Sequence, residues 1–526
     1  MWRHPPATPP RSRRVSATAD SNLYSQFQAC FPDDPATVLL ETGSGECYTY
    51  ADAERESARL ANCLAGLGAR VGDRVTVQIE KSPQALWLYL ACLRAGLVYH
   101  PLNTAYQAAE LDYFLGDAEP AVVVCTAASL EVFRNITAAA GADGARLLCL
   151  EADGSGSLAE AARDCTTQFD TVVRRADDLA ALLYSSGTTG RPKGIMLSHG
   201  NLASNGRTLA QLWGFTPADV LLHALPIFHV HGLFVATSCV LFSGARMLWL
   251  ERFEVGRVLA ALPGCTVMMG VPTYYTRLLA EAGFGPGVCA GMRLFISGSA
   301  PLLVETFEAF RQRTGHTILE RYGMTETSMN SSNPLHGERR PGTVGLPVPG
   351  VELRVVGEGG REAPAGETGD LQVRGNNVFQ GYWRMPEKTA EDFTADGFFN
   401  TGDKACIAAD GYVSIVGRSK DMIICGGLNV YPREIEDVLD ELEGVVESAV
   451  IGVPHADFGE AVVAVIVPVA GVSLAERAVI ARCRETLANF KVPKRVFIVG
   501  ELPRNAMGKV QKNQLRERYA DSFASS

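Results

Sequence analysis

Amphipathic stretches and short apolar runs alternate along most of the chain. Residues 54–67 read as an amphipathic helix that stops at Gly66 and Gly68, residues 74–80 as a strand and residues 85–95 as a second helix. Residues 121–125 form another short apolar run. Helix and strand in alternation predict an α/β architecture with substantial parallel sheet. Residues 350–381 break the rhythm, because the runs 352–356 and 370–373 are strand-like and lie between Gly and Pro turns. That stretch predicts a β-rich subdomain.

The pattern changes again near Gly417. Pro432 precedes residues 433–442, where Ile435, Val438, Leu439 and Leu442 fall on one helical face, and Gly444 stands beyond the end. Residues 448–453 and 461–469 read as strands and residues 474–490 as a second helix. A unit of about 100 residues with this make-up is large enough for its own α+β core. Residues 220–245 carry no formal charge, yet they contain His223, Pro226, His229, His231, Gly232 and Gly244. Buried strands and loops fit that stretch better than a membrane span of about 20 apolar residues.

Composition narrows the function. The chain has 526 residues, 47% hydrophobic and 20% charged, with a net charge of -10. A general nucleic-acid binder would show a basic footprint, and this chain does not. Thirteen scattered cysteines without a C-x-x-C pair argue against structural zinc and a disulfide framework, and for a reducing, cytoplasmic setting. The first 19 residues hold Arg3, Arg11, Arg13 and Arg14 and no acid. Four prolines interrupt them, so residues 1–22 are expected to be a disordered basic extension. The alternative is a transit peptide and a mitochondrial matrix location.

The strongest chemical signal is the string Ser185, Ser186, Gly187, Thr188, Thr189, Gly190, Arg191, Pro192, Lys193 and Gly194, which follows an apolar run. Such a loop offers backbone N–H groups and hydroxyls to phosphate oxygens, and Lys193 adds positive charge. Its spacing is not that of the Walker loop. His229 and His231 form an H-x-H pair that would share one face of a strand, and no third ligand stands nearby in sequence, which argues against zinc.

The string resembles the phosphate loop of the adenylate-forming superfamily. Further blocks follow in the same order: residues 225–229 (LPIFH), 297–301 (SGSAP), 320–326 (ERYGMTE), 399–403 (FNTGD), 417–421 (GRSKD) and 503–509 (PRNAMGK). The resemblance implies a large N-terminal domain of layered α/β subdomains plus the β-rich subdomain (residues 23–416), a hinge (417–420) and a small mobile α+β C-terminal domain (421–526). It implies ATP and coenzyme A as substrates and Mg²⁺ as the metal.

It also implies roles. Ser185, Ser186, Gly187, Thr188, Thr189, Gly190, Lys193, Ser299, Ala300, Pro301 and Glu320 line the ATP site. Tyr322 lies against adenine, Gly323 belongs to the ATP site, and Thr325 reaches the α-phosphate or the adenylate. Asp403 and Arg418 hold the ribose hydroxyls. Glu326, with Ser185, holds Mg²⁺, a hard ion that takes oxygen ligands. Lys509 is the adenylation lysine, aimed where charge builds as a carboxylate attacks the α-phosphorus. Lys420 is the hinge residue. Gly426 and Gly427 admit the pantetheine arm of CoA. His229 is a catalytic-pocket histidine.

Arg321 points to the acid. Relatives that take apolar chains often carry glycine at that position. A buried guanidinium facing a fatty tail is costly, whereas a second carboxylate gives it a bidentate partner. With Arg321, His231 and Ser297 lining the acyl end, the chain is similar to malonyl-CoA synthetases. The resemblance implies malonate as substrate, with methylmalonate second because one methyl is weakly discriminated. A CoA ligase for another short acid, or an adenylation enzyme loading a separate carrier protein, stays open. So does the choice between monomer and homodimer. No nucleic-acid or membrane partner is expected.

Overall fold

Capping chemistry sets where the first helices begin. Thr49 and Asp52 cap each other's backbone N–H groups, so the helix expected from residue 54 starts earlier and runs Tyr50–Gly66. Ser82 caps the next helix, Pro83–Arg94, with proline in its first turn. The computed structural model describes residues 20–139, 145–185, 192–357, 359–418, 421–425, 428–455, 458–487, 489–505 and 508–523. Asn22, placed in the basic extension by sequence, is fully buried and caps the short helix Leu23–Gln28. Its amide also donates to the Leu93 and Val172 carbonyls, so the ordered fold begins earlier than expected.

Two large sheets carry the N-terminal part. The first has the order Arg146–Cys149, Val122–Cys125, Arg74–Gln78, Val98–Pro101, Leu179–Ser185, Lys193–Ser198, parallel except for its last pair. The second holds six parallel strands at its centre: Ile318–Met324, Leu294–Ser297, Val267–Gly270, Val220–His223, Arg246–Trp249 and Val38–Thr42. Antiparallel strands close both of its edges. Parallel sheet has to be covered on both faces. Pro83–Arg94 meets that need by being buried at every position but Gln84, including Trp87, Leu88 and Leu90.

The β-rich subdomain forms as expected: Val351–Val356, Gly369–Gly375, Phe399–Ile407 and Val413–Arg418 make one antiparallel sheet. Beyond it, Ile423–Cys425, Leu428–Val430, Val445–His455, Gly459–Pro468 and Arg495–Ile498 form a separate sheet. The helices Pro432–Asp440 and Glu476–Thr486 share a core with it that includes Ile435, Leu439, Val450 and Cys483. The second helix is shorter than the expected 474–490, because Leu487 turns extended and packs with Val492 into the same core.

The uncharged stretch 220–245 departs most from expectation. Only Val220–His223 is a strand; His231–Ala236 is a π-helical turn that runs into the helix Thr237–Leu241. Helical residues buried all round carry no polar stripe, so the stretch gives no helical period to read. The cysteines match the sequence reading, since all are free and most are buried. Among the described residues no helix is long and apolar enough to cross a membrane.

Candidate active site

Parallel strands deliver their loops to one edge of a sheet, and ligands of open α/β sheets bind there. Four neighbouring strands of the second sheet do this: Val220–His223 leads to His229 and His231, Val267–Gly270 to Thr273, Leu294–Ser297 to Ser299, and Ile318–Met324 carries Arg321 and Tyr322.

Arg321 is 3% exposed, and its Nε and Nη2 have no hydrogen-bond partner among the described residues. Beside it, Gly298 leaves the room that the guanidinium fills, since a Cβ there would sit 2.3 Å from Nη1. The expected competitor, Glu320, is turned away. Alternation along the strand puts it on the opposite face, where its carboxylate accepts the Leu302 N–H at 3.0 Å. Burial pushes Glu320 up to about 7, against the pull of the Leu302 amide, Arg433 and Arg321. Burial likewise brings Arg321 down to about 10.

His231 Nε2, close enough to feel the guanidinium's charge, also lacks a partner among the described residues, whereas Ser297, the register partner of Glu320, faces the other side of the sheet, away from Arg321. Burial, followed by the charge of Arg321, drives His231 well below its ordinary value. A neutral His231 whose Nδ1 accepts from Ser299 Oγ, 3.2 Å away, presents an Nε2–H. Ser299 is held at φ +70°, a left-handed conformation unusual for serine. In that tautomer the pocket offers an anion the unpaired Arg321 donors and the His231 Nε2–H together.

His229 and His231 do not lie on a strand. His229 precedes the π-helical turn and accepts the His231 N–H through Nδ1 at 3.2 Å, while His231 opens the turn. Single π turns recur at functional sites. Glycine is required here, because a Cβ on Gly232 would lie 2.0 Å from the Pro226 carbonyl oxygen. His229 is brought down to about 4 by burial, then by the charges of Arg321 and Lys509. Among the described residues no group of His, Cys, Asp and Glu is arranged to hold a metal.

The opposite wall holds the residues expected at the nucleotide. Ser185 Oγ and Glu326 Oε1 are 3.5 Å apart, two oxygen ligands of the type a hard cation takes, and Glu326 is buried. Tyr322 donates its hydroxyl to Asp403 Oδ2 at 2.5 Å. Asp403 and Arg418 are register partners across neighbouring strands. Gly323 sits where the strand register shifts, and a Cβ there would meet the Ser328 oxygen at 1.8 Å. Thr325 follows at a half-buried turn. Ala300 is half-buried and Pro301 exposed in the loop after Ser299. Lys193 places Nζ 4.6 Å from the centre of the Tyr382 ring and 3.8 Å from Asp392. Ser186, Gly187, Thr188, Thr189, Gly190, Lys420, Gly426 and Gly427 lie outside the described residues.

The C-terminal domain brings Lys509 to this cleft. Asn505 accepts the Lys509 N–H through Oδ1 and the Gly508 N–H through its carbonyl, which holds Gly508 and Lys509 against Asn505. A Cβ on Gly508 would stand 3.1 Å from Thr273 Oγ1, so Gly508 abuts the loop after Val267–Gly270. Lys509 is exposed towards solvent, yet its charge reaches His229.

Sequence reasoning missed Lys81 and His223. Lys81 is 7% exposed, and its Nζ donates at 2.8 Å both to His223 Nδ1 and to the His223 carbonyl. A lysine just before a helix cap gives no local sign of burial. The partners are 142 residues apart, beyond any periodicity.

The fold is that of adenylate-forming enzymes. The chain belongs to the AMP-binding enzyme family: the family's sequence model matches residues 25–383, and that of the AMP-binding enzyme C-terminal domain matches residues 434–509. It superposes with a TM-score of 0.93 on the crystal structure of ATP-bound MatB from Rhodopseudomonas palustris, at 53% identity, covering 96% of this chain and 100% of that one. It is 37% identical to the mitochondrial malonate–CoA ligase ACSF3 of Mus musculus, over 90% of this chain and 87% of the relative. It is 36% identical to a sulfoacetate–CoA ligase of Cupriavidus necator, over 94% and 96% respectively.

Proposed function

We propose that the chain converts malonate, ATP and coenzyme A into malonyl-CoA, AMP and diphosphate through a malonyl-adenylate. The enzyme class is an AMP-forming acid–CoA ligase. One carboxylate oxygen of malonate attacks the α-phosphorus and diphosphate leaves. The CoA thiol then attacks the acyl carbon, loses its proton, and AMP leaves. Lys509 stabilises the charge that builds in the first step, while Tyr322, Asp403 and Arg418 hold adenine and ribose. The loop at residues 185–190 cradles the phosphates. Glu326 and Ser185 would hold Mg²⁺, which neutralises phosphate charge when bound. For the second step the C-terminal domain (residues 421–526) turns about a hinge at residues 417–420, bringing Gly426 and Gly427 to the pantetheine arm. His229, neutral above about pH 4, lies near the reacting carboxylate without adding charge.

One observation carries the choice of acid: Arg321 Nε and Nη2 are buried without partners among the described residues, beside the equally orphaned His231 Nε2. Leaving buried donors unpaired costs about 1–3 kcal/mol each. The far carboxylate of a short diacid removes that cost, and an apolar tail does not. The same donors suit a sulfonate, which makes sulfoacetate the second reading.

AMP release should be measured with malonate, methylmalonate, succinate, sulfoacetate, acetate and octanoate, using native protein and Arg321→Gly. Malonate is expected to give the highest kcat/KM, with methylmalonate next. The variant should lose the diacids selectively, by about 10⁴-fold, as expected for a site built around one polar partner. A native preference for acetate or octanoate would overturn the proposal, and a preference for sulfoacetate would establish the second reading.

A further inference from the structure

Lys81 is buried and makes no salt bridge among the described residues; burial lowers it well below its ordinary value, against the pull of Glu251. Lys81 follows the strand Arg74–Gln78 of the first sheet, while His223 ends a strand of the second. Their contact therefore joins the two halves of the N-terminal region beneath the cleft. Lys81 Nζ also lies 4.3 Å from the centre of the Trp249 ring, which favours the ammonium form.

We propose that Lys81 and His223 are positioning residues: together they pin the π-helical turn that presents His231, and so hold the anion-recognising end of the acyl pocket in shape. This deepens the diacid reading and rests on it.

The far side of His223 shows how the pinning works. His223 Nε2 is 3.0 Å from the Gly232 carbonyl oxygen. An oxygen at that distance requires a proton on Nε2, so a neutral ring leaves Nδ1 to accept from Lys81. Lys81 thereby fixes both the tautomer and the ring orientation. The Gly232 carbonyl also accepts the Thr237 N–H, the bond that widens the turn to a π helix, and the Thr237 hydroxyl at 3.0 Å. Three donors thus converge on the oxygen of the residue next to His231. Gly232 packs closely against Pro226, where a Cβ would stand 2.0 Å from the Pro226 carbonyl oxygen. Loss of Lys81 would free the ring to rotate, unload the Gly232 carbonyl and let His231 leave its place beside Arg321.

The test uses the full chain as Lys81→Met, His223→Leu and His223→Gln, with kinetics on malonate, propionate and ATP. Lys81→Met and His223→Leu are expected to raise KM for malonate about tenfold or more, and to narrow the preference over propionate, with KM for ATP within about twofold of native. His223→Gln should stay near native, because its amide can accept from Lys81 and donate to Gly232. A folded Lys81→Met with native malonate KM and native preference overturns the proposal.

If Lys81→Met does not fold, ¹⁵N imidazole spectra of the native protein decide, with His223→Gln assigning the signal. The expected form is Nε2–H with an unprotonated Nδ1 between pH 6 and pH 9; the opposite tautomer overturns the proposal. Native protein that ignores malonate would sink the diacid reading instead, and the ¹⁵N readout would still test the contact.

Discussion

Gly298 yields its side-chain space to Arg321: a Cβ on Gly298 would stand 2.3 Å from Nη1 and 2.4 Å from Cζ of the guanidinium. Arg321 is buried and cannot retreat to solvent. Gly298→Ala should therefore displace the guanidinium without removing it. Misplacing a recognising group by about 1 Å can cost about 10²-fold, so kcat/KM for malonate is expected to fall by about that factor. KM for ATP should not change. Steady-state kinetics at saturating ATP checks this, and a native malonate KM in the variant would show that the guanidinium does not recognise the acid.

The same pair shows what could be read from the sequence. Arg321 stood out because its ordered motif places it at the acyl end, and a buried cation there calls for an anion. Gly298 sat inside a recognised string, but its task depends on a strand neighbour 23 residues away in the chain and only becomes visible once Phe295–Ile318 pairing is known. The parallel sheets and the C-terminal unit were legible because their periods are local. The π-helical turn was not, since a helix apolar on every side has no period. Lys81 and His223 meet only through packing between two sheets.

Tyr322 and Asp403 offer a separate check on the nucleotide side. The tyrosine hydroxyl donates to Asp403 Oδ2 at 2.5 Å, and so orients a carboxylate proposed to take the ribose hydroxyls. A hydrogen bond to a charged group contributes about 1.5–3 kcal/mol, so Tyr322→Phe is expected to raise KM for ATP about tenfold or more. KM for malonate should stay near native. Equal rises in both constants would mean that the contact supports the whole cleft instead of the nucleotide.

Lys509 should separate the two half-reactions. Its charge reaches His229 across the cleft, as its proposed role in adenylation requires. Lys509→Met is expected to slow ATP-dependent adenylate formation by about 10²–10³-fold, the usual loss for one group aimed at developing charge. Thioester formation from supplied malonyl-adenylate and CoA should proceed at near the native rate. Single-turnover measurements of each step distinguish the two, and an equal loss in both would remove Lys509 from its proposed role.

Glu320 makes stability depend on pH in a defined direction. Burial raises it from 4.5 to about 7, with its carboxylate held only by the Leu302 amide among the hydrogen bonds given by described residues. An acid whose folded value is raised stabilises the fold fully below its unfolded value. As pH rises from about 4.5 to about 7, the unfolded chain gives up this proton while the folded chain keeps it, so stability falls through that window and then levels off. A shift of this size corresponds to about 3 kcal/mol. Glu320→Gln keeps the acceptor for Leu302 and has no proton to lose. Burial also lowers His229 to about 4 and His100 to about 3, which makes stability depend on pH as well, but both are common to the two proteins and cancel in the difference. The melting temperature of Glu320→Gln minus that of native protein is therefore expected to be several degrees more positive at pH 8 than at pH 4.5. The same difference at both pH values would mean that Glu320 ionises in the folded chain as readily as in water.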